Sequence, residues 1–189
     1  GAVSLTYAGL YPETVNKVVS IEGMGPAPLS LNQQTDSTSS KFTGWIENLR
    51  KLSARLPKRY ATLEDAYHRM QNENPHLTSE QARHLTIHGS NQNEDGTYSW
   101  KFDNYVRTFP PIGLTPEETF ELYARIVSPT LLVYGKESWA SKETGDSQSQ
   151  YFQSASTRLI ENAGHWVHHD QLDEFLVMVR AFLSEIKSA

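Results

Sequence analysis

Pro129-Thr130-Leu131-Leu132-Val133-Tyr134-Gly135 is a continuous apolar run of strand length. A strand with one wet face alternates polar and apolar residues. A strand covered on both faces does not, and such strands belong to parallel sheets flanked by helices. The run therefore predicts an α/β architecture. Thr157-Arg158-Leu159-Ile160 reads as a second, shorter strand. A third is the β-branched run Val15 to Ile21, stopped by Gly23. Ahead of it, Ala2 to Tyr11 reads as a helix, with Val3, Tyr7 and Leu10 on one face. Small residues (Ala2, Ala8, Gly9) permit close packing there, and Pro12 ends it. Helix then strand is half of a βαβ unit. From about Gln171, Leu172, Phe175, Val179, Phe182 and Ile186 recur at three and four residues, a buried helical stripe.

The middle has a different pattern. Pro26-Ala27-Pro28 opens a loop, and Ser30 to Lys41 is polar. Phe42 to Leu56 has apolar residues at helical spacing. Thr62-Leu63-Glu64-Asp65, Thr78-Ser79-Glu80-Gln81 and Thr115-Pro116-Glu117-Glu118 each have the form of a helix start. Gln92 to Gly96 reads as a turn. The expectation is an all-helix-and-loop insertion over 24–127. It interrupts a sheet core made of 1–23 and 128–189.

Composition narrows the partners. The 189 residues carry a formal charge of −5. An acidic chain lacks the basic face that nucleic acid or an anionic membrane would need. No stretch is apolar enough to span a bilayer. There is no cysteine, which removes disulfide and thiol chemistry and fits a cytoplasmic setting. A small-molecule substrate is expected, with no cofactor demanded and the oligomeric state left open.

Glu161-Asn162-Ala163-Gly164-His165-Trp166 is the strongest chemical signal. It follows a strand and precedes a helix. A loop there can hold an imidazole at the C-terminal edge of a parallel sheet, where open α/β folds place their sites. Gly164 allows a sharp turn. His165, His168, His169 and Asp170 raise the alternative of a metal site. Adjacent positions 168 and 169 point apart, and no second ligand cluster is evident. Glu22 ends the first strand at the same sheet edge. Its carboxylate could accept the Nδ1 proton of His165. A solvated acid before a loop is the competing reading.

Taken together, Gly1 to Ala8, Tyr11-Pro12-Glu13 and Val18 to Gly23 resemble the segment after the nucleophile elbow of α/β-hydrolases. Pro129 to Gly135 resembles the strand before their acid loop, and Gly164-His165 resembles their catalytic histidine loop. The middle is similar to the cap of many members. The resemblance implies a triad in the chain order nucleophile, acid, histidine, with His165 as its histidine. The elbow motif itself is missing. By this resemblance the nucleophile lies two or three residues upstream of Gly1, and the oxyanion-hole donors also lie upstream. Ser4 sits inside the helix rather than on a strained turn, so it is a poor substitute.

Many members carry the acid three residues after the strand-ending glycine, which here is Ser138. Other members, haloalkane dehalogenases among them, carry it after the elbow helix's strand, where Glu22 stands. Glu22 is therefore the expected acid, with Glu137, Glu143 and Asp146 as alternatives. The resemblance implies two-step acyl transfer on a small hydrophobic ester. With an aspartate nucleophile it implies dehalogenase or epoxide-hydrolase chemistry instead. A non-catalytic binding protein is the third possibility. Trp139 and Trp166 are the expected substrate contacts. Cap aromatics (Phe42, Trp45, Tyr60, Tyr67, Trp100, Phe102, Tyr105, Phe109) are expected in part to line an apolar pocket. Three strands without the rest of a sheet expose bare edges. The 189-residue chain alone is thus expected to fold poorly and to lack activity. A cooperative, two-state unfolding transition of the isolated chain would contradict this.

Overall fold

The computed structural model describes residues 1–23, 37–108, 111, 113–144 and 146–184. Helix α1 (Ala2–Leu10) leads through a 3-10 turn (Pro12–Thr14) to strand β1 (Val18–Ile21). Helices α2 (Thr38–Ser53), α3 (Leu63–Glu73) and α4 (Ser79–Gly89) follow, then strands β2 (Ser90–Gln92) and β3 (Tyr98–Trp100). Helix α5 (Pro116–Ala124) precedes β4 (Thr130–Gly135) and the short helix α6 (Trp139–Thr144). Strand β5 (Ala155–Ile160), the short α7 (Val167–Asp170) and α8 (Leu172–Ser184) complete the order. The expected loop at Pro26–Pro28 and residues Phe109 and Ile186 lie outside the described residues.

The chain divides into two compact units, one formed by 1–29 with 114–189 and the other by 30–113. The first holds a parallel sheet in the order β1-β4-β5. Val18 pairs with Thr130 and Ile21 with Val133, while Thr130 pairs with Ala155 and Gly135 with Ile160. Strand β4 is central, and every one of its residues is buried. That explains its unbroken apolar character. On one face Leu132 and Tyr134 join Leu5, Ala8, Val18, Tyr123, Ile126 and Phe152. On the other, Leu131 and Val133 meet Ile160, Ala163, Val167 and Phe175. Phe175, Val179 and Phe182 of α8 use their stripe against this second face, whereas Leu172 is half exposed.

Three expectations are corrected. First, α1 buries Leu5, Ala8 and Gly9, while Val3, Tyr7 and Leu10 face outward, Val3 at 83% exposure. A Cβ on Gly9 would lie 2.5 Å from the Leu122 carbonyl oxygen, so it is the small face that packs tightly on α5. Second, α5 belongs with the sheet unit rather than with an insertion ending at 127. Its Tyr123 is buried among Leu5, Ala8 and Phe152, and that burial pushes the phenol's pKa well above its usual value. Third, the 30–113 unit is not helix and loop alone. Strands β2 and β3 pair antiparallel, Asn91 opposite Ser99. Gly96 supplies the positive φ (82°) that this turn needs, and the Asn93 amide bonds the Thr97 carbonyl. Three-residue strands are too short to show a period of two.

Within the 30–113 unit, threonine caps start α3 and α4 with reciprocal capping boxes, Thr62 with Asp65 and Thr78 with Gln81. Thr115 and Glu118 start α5 of the sheet unit the same way. Each box satisfies two amides that the first helical turn leaves unpaired. Arg83 grips Glu64 through both guanidinium nitrogens, at 2.7 and 2.9 Å, and lies 4.1 Å over the Tyr67 ring. Arg59 also pairs with Asp95. Tyr60 and Tyr67 are buried, and the Trp100 indole donates to the Tyr60 hydroxyl at 3.1 Å. The Tyr60 and Trp100 rings meet edge to face, with centroids 5.9 Å apart. Among the described residues, no helix is long and apolar enough to cross a membrane.

A close backbone approach in the sheet unit lies at the end of β4. A Cβ on Gly135 would fall 2.2 Å from the Gly164 carbonyl oxygen and 2.4 Å from that of Ala163. Backbone atoms on both sides cannot yield as a side chain would. Gly135→Ala should therefore destabilise the full-length protein by about 3 kcal/mol, the upper range for overpacking. Chemical denaturation of wild type and variant would check this.

Candidate active site

Three chain segments converge at the C-terminal edge of the sheet. The first is the end of β1. The Glu22 amide still donates to the Val133 carbonyl at 2.9 Å, continuing the ladder with β4. Its φ is +51°, so the backbone turns left-handed at the first residue beyond the strand. The carboxylate is buried against the end of β4. There the Gly135 amide donates to Oε1 and the Ser138 hydroxyl donates to Oε2 at 2.6 Å.

The second segment is the turn after β4. The Ser138 amide donates to the Gly135 carbonyl at 3.0 Å, which closes the turn. Ser138 is 2% exposed. The third segment is the loop after β5. The Lys136 amide bonds the Ile160 carbonyl at 2.9 Å, and the Glu137 amide bonds that of Ala163 at 3.0 Å. Asn162, with φ +51°, takes the left-handed position that sequence analysis gave to Gly164. Gly164 instead offers its amide to the Asp170 carboxylate at 2.8 Å. The loop is thus pinned at both ends, against β4 and against α7.

His165 sits on this pinned loop. Its Nδ1 lies 3.1 Å from Glu22 Oε2, and its side chain is 45% exposed. A carboxylate on Nδ1 selects the tautomer that carries its proton there. Nε2 then keeps its lone pair. The Trp139 ring stacks beside the imidazole, with centroids 5.3 Å apart and planes 29° from parallel. Trp139 is itself 58% exposed. The buried carboxylate has donors at both oxygens, which offsets the cost of removing it from water.

The structure thus brings Glu22, His165 and Trp139 together. It places Trp166 differently: that ring lies 5.9 Å from His169 rather than on His165. Glu137 has an exposed side chain. The side chains of Glu143 and Asp146 lie outside the described residues. Sequence analysis set Ser138 aside because a hydroxyl cannot replace an acid. Its spacing from Gly135 was the signal that it stands at the acid's edge. Among the described residues, no three His, Asp or Glu side chains converge as metal ligands.

Comparison with known proteins agrees with this architecture. The model of the α/β-hydrolase fold family matches residues 1–172. The chain belongs to the α/β-hydrolase fold family. Similar solved structures include a hypothetical protein of Pseudomonas aeruginosa PAO1, 20% identical with a TM-score of 0.80. That match covers 97% of this chain and 64% of the other. The thioesterase domain from the curacin biosynthetic pathway is 19% identical, with a TM-score of 0.74 over 94% of this chain and 62% of its own. An esterase of Mycobacterium tuberculosis is 17% identical, with a TM-score of 0.67 over 96% and 60%. The chain therefore spans less than two thirds of each of these three. No curated protein matches it in sequence.

Beside the site, burial and the neighbouring His169 hold the His168 pKa below the ordinary histidine value. The folded state favours its neutral ring. Above about pH 6.5 both folded and unfolded chains carry it neutral, and no penalty arises. As pH falls through that value, the unfolded chain takes up the proton first and stability is lost. The denaturation midpoint should drop between about pH 7.5 and about pH 5. His168→Gln should make that drop smaller.

Proposed function

We propose that the full-length protein is a serine hydrolase of the esterase type. Glu22 and His165 supply the acid and the histidine of its triad. One observation carries this reading: the contact between His165 Nδ1 and the buried Glu22 carboxylate at the C-terminal edge of a parallel sheet. With its proton on Nδ1, the half-exposed imidazole keeps a lone pair on Nε2. A serine hydroxyl presented there would lose its proton to Nε2 as it attacks an ester carbonyl. The imidazolium so formed is stabilised by Glu22 and then protonates the leaving alcohol. Water repeats the cycle on the acyl-enzyme.

By the family's motif order, the serine would stand two or three residues upstream of Gly1. The presence of a thioesterase domain and an esterase among proteins of similar fold supports ester-type chemistry. Trp139, apolar and half exposed beside His165, supports a hydrophobic substrate. If the coding sequence before Gly1 reads Gly-x-Asp-x rather than Gly-x-Ser-x, the same pair would serve an alkyl-enzyme mechanism.

Turnover of a chromogenic short-chain ester by the full-length protein tests the reading. His165→Ala should abolish it. Glu22→Gln should lower kcat by on the order of a thousandfold or more while leaving the fold intact, since it misplaces the imidazole proton. Loss from Glu137→Gln with none from Glu22→Gln would overturn the assignment.

A further inference from the structure

Glu22 Oε2 has two partners, His165 Nδ1 at 3.1 Å and the Ser138 hydroxyl at 2.6 Å. The same oxygen that meets the imidazole is thus held from its other side. A serine hydroxyl has one proton and two lone pairs. The Ser138 oxygen accepts from the Ala140 amide at 3.1 Å, a role that fits an N-cap of α6. That contact uses a lone pair and fixes the hydroxyl's position. Its single proton is left for Glu22. Ser138 and Glu22 are both buried, so no bulk water competes for either group.

We infer that Ser138 is a positioning residue for the acid: it holds Oε2 aimed at His165 Nδ1. The inference rests on the triad reading above. Without the Ser138 proton, Oε2 loses its only donor other than His165 among the described residues. A buried carboxylate short of a donor favours its neutral form or turns toward another partner. Either outcome weakens the hold on the imidazolium, which exists only during turnover. The Gly135 amide on Oε1 cannot compensate, because it fixes the other oxygen.

The two roles of Ser138 separate experimentally. A lost helix cap lowers stability and leaves the titration of the catalytic pair alone. A lost donor to Glu22 moves that titration. In the full-length enzyme, Ser138→Ala should lower kcat by on the order of tenfold with KM unchanged, the loss of one charge-assisted hydrogen bond. The acid limb of the kcat/KM profile should move to lower pH, because an imidazolium held less firmly by Glu22 gives up its proton more readily. Ser138→Thr, which keeps the hydroxyl, should restore both. If Ser138→Ala does not fold, Ser138→Cys is assayed in its place, since a thiol is a weak donor of similar size. An acid limb that stays in place in whichever of these two variants is assayed overturns the inference, whatever the loss in rate. Glu22→Gln is assayed alongside. Wild-type turnover by Glu22→Gln would overturn the triad reading itself. An inactive Glu22→Gln beside an unmoved limb in Ser138→Ala would overturn only the role of Ser138.

Discussion

A single buried carboxylate ties the C-terminal edge of the sheet together. Glu22 leaves β1 and meets the end of β4 through Gly135 and Ser138, then the loop after β5 through His165. Burying an unpaired carboxylate is costly. Burying one with donors at both oxygens is tolerable, and it penalises any arrangement in which one of the three segments strays. The left-handed backbone at Glu22 is part of the same bargain with geometry. Strain of this kind persists where the surrounding contacts over-determine it, and it clusters at functional sites.

Two glycine contacts make that convergence sterically possible. Gly135 lets the carbonyls of Ala163 and Gly164 lie against the end of β4. Gly1 lets the start of α1 lie against the end of β1, where a Cβ would fall 2.0 Å from the Gly23 carbonyl oxygen. Side chains at these positions would push apart the elements whose ends form the site. The packed faces of β4 supply the complementary force. Leu132 and Tyr134 hold α1 and α5, while Leu131 and Val133 hold the histidine loop and α8. The candidate site and the sheet core thus share one strand.

Much of the fold was legible in the sequence because its signals are local and strong. Strand β4 is apolar throughout, the three Thr-led helix starts carry their capping residues, and Gly164-His165 stands between a strand and a helix. Other features were hidden for physical reasons. The buried face of α1 is built from Leu5, Ala8 and Gly9, so counting large apolar residues selected the opposite face. Strands β2 and β3 are too short for periodicity to register, and their pairing depends on the turn at Gly96. Its hydroxyl disqualified Ser138 as an acid, while its spacing from Gly135 placed it at the right sheet edge. Its hydrogen bond to Glu22 spans 116 positions, and no local pattern encodes such a contact.

The α/β-hydrolase fold fixes where a site can form, and the proposed function rests on the pairing of Glu22 with His165 at that edge. The most direct test is proton NMR of the His165 imidazole at low temperature. Histidines are labelled with nitrogen-15, and His165→Gln provides the assignment. The account predicts a strongly deshielded Nδ1 proton in the protonated ring. That resonance should be retained in Glu137→Gln and lost in Glu22→Gln. A deshielded resonance that survives Glu22→Gln unchanged, or disappears in Glu137→Gln, would contradict it.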